Sequence, residues 1–191
     1  MLVNSIVTEV NRNTLSDSFA ENLVRGKLWL AVNLLKIQDR FDTIYVLGSW
    51  YGNMAMILSR LPISYQQIVN VDLDADALRQ GQRLNREFGV DHVKSMRANA
   101  NDLDYRRLGP RGAVINTSVT NMSGAGWFDN IPLGTRVAML ARDNDSGARN
   151  QFSSVTQLAQ QFPLSDIQYQ DQLPDQDPQT DFDHFLVIGR R

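Results

Sequence analysis

The period of the apolar positions changes along the chain, and each change marks an element. Over residues 15–36 they recur at helical spacing, at Leu15, Phe19, Leu23, Leu28, Ala31 and Leu35, which predicts an amphipathic helix. Thr14 can cap its start, with Asp17 following in the first turn. From "TIYVLG" (43–48) the texture differs: a short apolar run with β-branched residues, as in a buried strand. "GNMAMILSRL" (52–61) returns to helix and stops at Pro62. Next come a strand, "QIVNVD" (67–72), and a helix, "DADALRQGQRLNREFG" (74–89), paced by Ala75, Leu78, Gln82 and Asn85 and closed by Gly89. "HVKSMRA" (92–98) and "AVINTS" (113–118) read as strands, "SGAGWFDNIP" (123–132) as a loop or short helix, and "TRVAMLAR" (135–142) as a fifth strand. "SVTQLAQQFP" (154–163) is a helix with Leu158 and Phe162 inward. Finally "DIQYQDQL" (166–173) and "DHFLVIGRR" (183–191) are strand-like runs joined only by the polar segment 171–183.

Strand and helix alternate for most of this length, which predicts a parallel sheet with helices on both faces. Two strands joined without a helix run antiparallel. The expected fold is therefore α/β: a doubly wound, seven-stranded, mostly parallel sheet with a C-terminal antiparallel hairpin. Its last strand inserts beside the fifth. We expect one domain over 1–191, with an N-terminal helical segment (1–40) ahead of the core (41–191).

Composition narrows the chemistry. Hydrophobic residues make up 42% and charged residues 21% of the chain, as in ordinary globular proteins. No apolar run approaches a bilayer span, and the N-terminus lacks the pattern of a secretory signal. Without cysteine there is no disulfide framework, thiolate metal site or cysteine nucleophile, and a cytoplasmic location is expected. The only histidines, His92 and His184, are far apart, so no histidine-based metal site is expected. A net charge of −2 argues against nucleic-acid binding by bulk charge but leaves a local basic face open.

The candidate site starts at "YVLGSWYGN" (45–53), where a strand ends in a turn with glycines at 48 and 52. In a doubly wound sheet, ligands bind past the carboxyl ends of the strands. Gly48 can take a conformation closed to other residues, and Gly52 lets the next helix approach the strand. The helix N-terminus then faces the ligand. Trp50 stands where a dinucleotide fold has its middle glycine, which argues for a ligand without a pyrophosphate. Asp72 ends the second strand, where an acid commonly binds ribose hydroxyls; it is equally placed to cap the helix near Asp74. A ribose binder without phosphate points to S-adenosylmethionine.

On these residues the chain resembles the class I S-adenosylmethionine-dependent methyltransferases, over about residue 40 to 191. "YVLGSWYGN" matches their first motif, with two of its usual three glycines, and "VNVDLDADAL" their second-strand motif. "RANAND" matches the segment that flanks adenine, with Asn99 where an aspartate is frequent. "VINTSVTNM" occupies the fourth-strand motif, where acceptor and methyl group meet. The closing hairpin is the family's most distinctive fold feature. "INTS" followed by "WF-x-x-IP-x-GT" also resembles small methyltransferase-like proteins encoded by bacteriophages.

The resemblance implies cofactor contacts at Gly48, Ser49, Trp50, Gly52, Asp72, Leu73, Asn99 and Ala100. It implies catalytic positioning at Asn116 and Ser118, and acceptor contacts at Asn121 and Trp127. By their place after the fifth strand, Asp143 and Asp145 are further candidates for a base or a substrate contact. Asn99 has turn closure as its alternative role, and Trp127 a place in the core. Two departures qualify the match. Val46 sits where many members carry an acid, and Asn116-Thr117-Ser118 is not the motif of enzymes that methylate exocyclic amines of bases. The expected activity is methyl transfer from S-adenosylmethionine to an unidentified acceptor: nucleic acid, protein or small molecule. The alternatives are a non-catalytic cofactor-binding or partner-binding protein, aminocarboxypropyl transfer and, least in keeping with Trp50 and the hairpin, a dehydrogenase.

Overall fold

The structure, a computed structural model, describes residues 19–143, 148–174 and 183–191. Residues Thr14 to Asp17 at the expected helix start, Asp145, and most of the polar turn before the last strand lie outside the described residues. The elements in chain order are α1 (Glu21–Ile37), β1 (Arg40–Leu47), α2 (Asn53–Ser59), β2 (Ser64–Asp72), α3 (Ala75–Glu87), β3 (Val93–Arg97) and β4 (Ala113–Asn116). They continue with α4 (Gly126–Asp129), β5 (Arg136–Arg142), α5 (Val155–Gln161), β6 (Asp166–Leu173) and β7 (His184–Arg190).

The seven strands form one sheet in the order β3-β2-β1-β4-β5-β7-β6. The pairs β1·β2, β1·β4, β2·β3 and β4·β5 are parallel, while β7 runs antiparallel to both neighbours. The last strand thus enters the sheet between the fifth and the sixth, antiparallel to both. Burial follows position. The β7 segment His184–Gly189 is buried throughout, whereas the edge strand β6 is mostly exposed and carries an irregularity between Ile167 and Tyr169. Such a bulge, with polar side chains, blunts an edge that would otherwise pair with another chain.

Two cores flank the sheet, because successive strand residues point to opposite faces. Tyr45 and Leu47 of β1 join Val69, Val71, Trp127, Phe128 and Phe162 on one face. Ile44 and Val46 face the other way, onto Leu30, Ala31 and Leu34 of α1 and onto Met54 and Leu58 of α2. The buried stripe of α1 is Gly26, Leu30, Ala31 and Leu34, whereas Leu28 is exposed. Of the expected stripe, Ala31 is buried and Leu35 packs partly buried against the same core; Leu28 is corrected, because the face turned to the sheet carries Leu30 and Leu34, and Gly26 faces His184. Arg190 and Arg191, at the end of the last strand-like run, are docked on the protein. The Arg190 guanidinium donates to the Gly134 carbonyl (2.7 Å), and the Arg191 guanidinium lies 4.4 Å from the Phe128 ring centre. No described helix is long and apolar enough to cross a membrane.

Helix α3 meets the turn after β1 at Gly81. A Cβ there would lie 2.7 Å from the Tyr51 carbonyl carbon and oxygen, which are backbone atoms that cannot swing aside. Gly81→Ala should therefore cost about 1–3 kcal/mol of stability by overpacking, although alanine favours the helix. A urea midpoint equal to or above that of the unaltered protein would contradict this contact.

Candidate functional site

The turn after β1 uses left-handed backbone three times: Gly48 at φ 60°, Trp50 at 47° and Gly52 at 70°. At Gly48 the need is also spatial. A Cβ would lie 2.4 Å from the Cβ and Oγ of Ser118 on the loop after β4, whose hydroxyl donates to the Gly48 carbonyl at 3.1 Å. Gly52 makes room on the other side, where a Cβ would meet the Asn70 and Asn85 amides at 2.7 and 2.8 Å. It serves the approach of strand and helix and lines neither cavity described below.

Trp50 is the unusual member, since a left-handed non-glycine residue costs on the order of 1–2 kcal/mol. What holds it is the Asp72 carboxylate. The Trp50 backbone N–H donates to Asp72 Oδ2 at 2.7 Å, and the Asp74 N–H to Oδ1 at 3.0 Å. A hydrogen bond to an ionised carboxylate is worth about 1.5–3 kcal/mol, enough to offset the strain. The cap of α3 falls to Asp74, which accepts from the N–H groups of Asp76 and Ala77. Ser49 is buried, and its hydroxyl oxygen has no hydrogen-bond partner among the described residues.

Two cavities open at this edge. The first, about 240 Å³, is lined by Gly48, Asp72, Leu73, Asn99, Ala100 and Asn121, among others. Leu73 is 65% exposed, an apolar side chain left at the rim. The Asn99 side chain closes its own turn: Oδ1 accepts from the Asn101 N–H (3.1 Å) and Nδ2 donates to Asp102 (3.0 Å). The second cavity, about 290 Å³, is lined by Trp50, Thr117, Thr120 and three basic side chains, Lys27, Arg142 and His184. Gly48, Asp72, Ser118 and Asn121 line both, so the cavities meet across the turn.

Not every expected side chain reaches these spaces. Asn116 is fully buried and lines neither cavity. Its Oδ1 accepts from the Ser118 N–H (2.9 Å) and its Nδ2 lies 3.2 Å from the Met122 sulfur, so the amide shapes the loop that carries Ser118. Trp127 is corrected from an acceptor contact to a core residue. It is fully buried, with ring centres 5.0 Å from Phe162 and 5.5 Å from Phe128, and its large apolar ring is covered by the sheet. Asp143 lines neither cavity; its Oδ1 accepts from the Asp183 N–H, tying the end of β5 to the segment before β7.

The sequence reading missed Lys27. The signal was its place one helical turn from both Leu23 and Ala31, inside the apolar stripe of α1. Its ammonium donates to Asn53 Oδ1 at 2.8 Å. Burial, and then the charge of Arg142, hold its pKa down to about 8.

No family model matches the sequence, and no curated protein matches it. Solved structures do match the fold. The N-methyltransferase NodS from Bradyrhizobium japonicum WM9, in complex with S-adenosyl-L-homocysteine, superposes with a TM-score of 0.72 at 11% identity, over 100% of this chain and 96% of that one. Geranyl diphosphate C-methyltransferase from Streptomyces coelicolor A3(2) gives 0.61 at 15% identity, over 99% and 90%. The [4+2]-cyclase SpnF gives 0.67 at 12% identity, over 86% and 80%. The chain therefore has the class I methyltransferase fold.

Lys27 makes stability depend on pH in a defined window. Between its native pKa of about 8 and the ordinary lysine value of 10.5, the unfolded chain holds a proton that the native protein has released. Stability therefore rises with pH through this window, and the cost of the buried charge is felt in full below it. Measured against Lys27→Met, the urea midpoint of the unaltered protein should gain ground from pH 8 to 10. A parallel pair of curves would mean that Lys27 titrates normally.

Proposed function

We propose that the protein binds S-adenosylmethionine and transfers its methyl group to an acceptor. The observation that carries this reading is the meeting of two cavities across Gly48, Asp72, Ser118 and Asn121. A nucleoside suits the first, with its ribose hydroxyls on Asp72 and its base against Leu73 and Ala100. Covering the exposed Leu73 would remove apolar surface from water. Each Asp72 oxygen has already accepted one backbone N–H, and an ionised carboxylate has capacity for more. Trp50, in place of a glycine, favours this phosphate-free ligand over a dinucleotide. That NodS and the geranyl diphosphate methyltransferase were solved with S-adenosyl-L-homocysteine supports the same choice.

Bound there, the cofactor supplies a methyl group on a positively charged sulfur, already a good leaving group. The protein's part is alignment, because holding two reactants in line removes much of the entropic barrier. Thr117, Ser118, Thr120 and Asn121 line the second cavity and offer hydroxyl and amide groups to orient an acceptor. Asn116 acts one step back, as a positioning residue that fixes Ser118. A base is needed only when the acceptor loses a proton as it attacks. The second reading, cofactor binding without methyl transfer, is favoured by one observation: SpnF is described as a cyclase on this same fold.

Calorimetric titration with S-adenosyl-L-homocysteine tests the cofactor. Asp72→Ala should weaken binding by about 1–3 kcal/mol while circular dichroism confirms the fold; an unchanged affinity would remove Asp72 from the site. Incubation with methyl-labelled S-adenosylmethionine and cell extract, split into RNA, DNA, protein and small-molecule fractions, tests transfer. Label in one fraction, reduced by Asn116→Ala more than cofactor affinity is, supports methyl transfer. Tight binding with no label in any fraction would favour the second reading.

A further inference from the structure

We propose that the second cavity is the acceptor pocket and that it selects a small organic molecule bearing an anionic oxygen group, held by Lys27 and Arg142. The word acceptor rests on the cofactor reading above; the anion site itself rests on the cavity alone. Three elements bring basic side chains to this one space: Lys27 from α1, Arg142 from the end of β5 and His184 from the start of β7. Arg142 and His184 are direct partners across the β5·β7 ladder, so the sheet fixes them side by side. Gly26 lets α1 lie against the His184 ring, which sets Lys27 over the same floor.

Asp72 is the one carboxylate lining this cavity among the described residues, and both its oxygens accept backbone N–H groups at the boundary with the first cavity. Thr117 and Thr120 add hydroxyl donors, while Leu23 and Leu140 offer apolar wall to an organic body. The Lys27 ammonium has three donors, of which Asn53 takes one. Burial first, and then the neighbouring Arg142 charge, lower its pKa, and a bound anion would oppose both by favouring the charged ammonium.

One rival source of negative charge exists: the carboxylate of the cofactor's own amino-acid tail. It would reach the same space from a ribose at Asp72, and the experiment is arranged to separate the two. The chain has three lysines, Lys27, Lys36 and Lys94, so side-chain NMR of lysine-labelled protein resolves Lys27 against Lys27→Gln. Among the described residues, Arg142, His184 and Asp72 are the ionisable groups that share its cavity. In protein saturated with S-adenosyl-L-homocysteine, inorganic phosphate should raise the Lys27 titration midpoint by about one pH unit. Lys36 and Lys94 should not move. Lys27→Gln should weaken phosphate binding about tenfold and Lys27→Arg should restore it. Because arginine stays charged, the Arg variant should also keep its affinity above pH 9, where the unaltered protein loses it.

A Lys27 midpoint that phosphate moves neither in the saturated nor in the free protein would overturn the anion site; one moved only in the free protein would overturn the acceptor assignment. If Lys27→Gln weakens S-adenosyl-L-homocysteine but not 5′-methylthioadenosine, which lacks the carboxylate, the charge belongs to the cofactor and the acceptor assignment falls. If the unaltered protein binds no S-adenosyl-L-homocysteine, the cofactor reading fails first. Phosphate titration of the free protein then still decides the anion site.

Discussion

The carboxylate of Asp72 holds the site together. It ends β2 and accepts the backbone N–H of Trp50, a residue in left-handed backbone that needs an external hold. Through that bond the turn after β1 is fixed to the neighbouring strand. Ser118 fixes it from the other side by donating to Gly48. The turn is thus clamped between the ends of β2 and β4, the two strands that flank β1 in the sheet. A parallel sheet places all three carboxyl ends on one edge, which is where such folds bind ligands. Any ligand contact made by Asp72 is made by a group whose position the backbone has already set.

The hairpin at the C-terminus has the complementary role. Inserting β7 between β5 and β6 buries a strand that begins at His184, opposite Arg142. A sheet ending at β5 would leave the second cavity without His184 beside Arg142. Helix α1 closes the cavity from above because Gly26 permits its approach to His184 and brings Lys27 with it. The basic side chains of the second cavity thus come from α1, β5 and β7, and its hydroxyl and amide groups from the loop after β4.

The sheet was legible because its strands are buried runs punctuated by turn residues, and because only a polar segment separates the last two. Gly48 and Asp72 were legible because their chemistry is local: a turn that needs positive φ, and an acid at a strand end. Asn116 and Trp127 were not, since a polar residue leaving a strand can point to the loop or to the cavity with the same sequence. Here the Ser118 N–H and the Met122 sulfur take the Asn116 amide, and Phe162 and Phe128 take the Trp127 ring. Lys27 was hidden by the opposite effect. Its helix was read by its apolar positions, and a lysine inside the stripe looks like an interruption until β5 and β7 are placed beneath it. The phase of α1 shows the same dependence, since Leu28 yields its place to Leu30 and Leu34 only once the sheet decides which side is covered.

The central claim is that one ligand runs from Leu73 past Asp72 and Gly48 toward Ser118. A crystal structure of the protein soaked with S-adenosyl-L-homocysteine tests it most directly. The adenine should lie against Leu73 and Ala100, both ribose hydroxyls within about 3 Å of Asp72, and the sulfur at the junction of the two cavities beside Ser118. A ligand seated elsewhere, or a ribose turned away from Asp72, would contradict it.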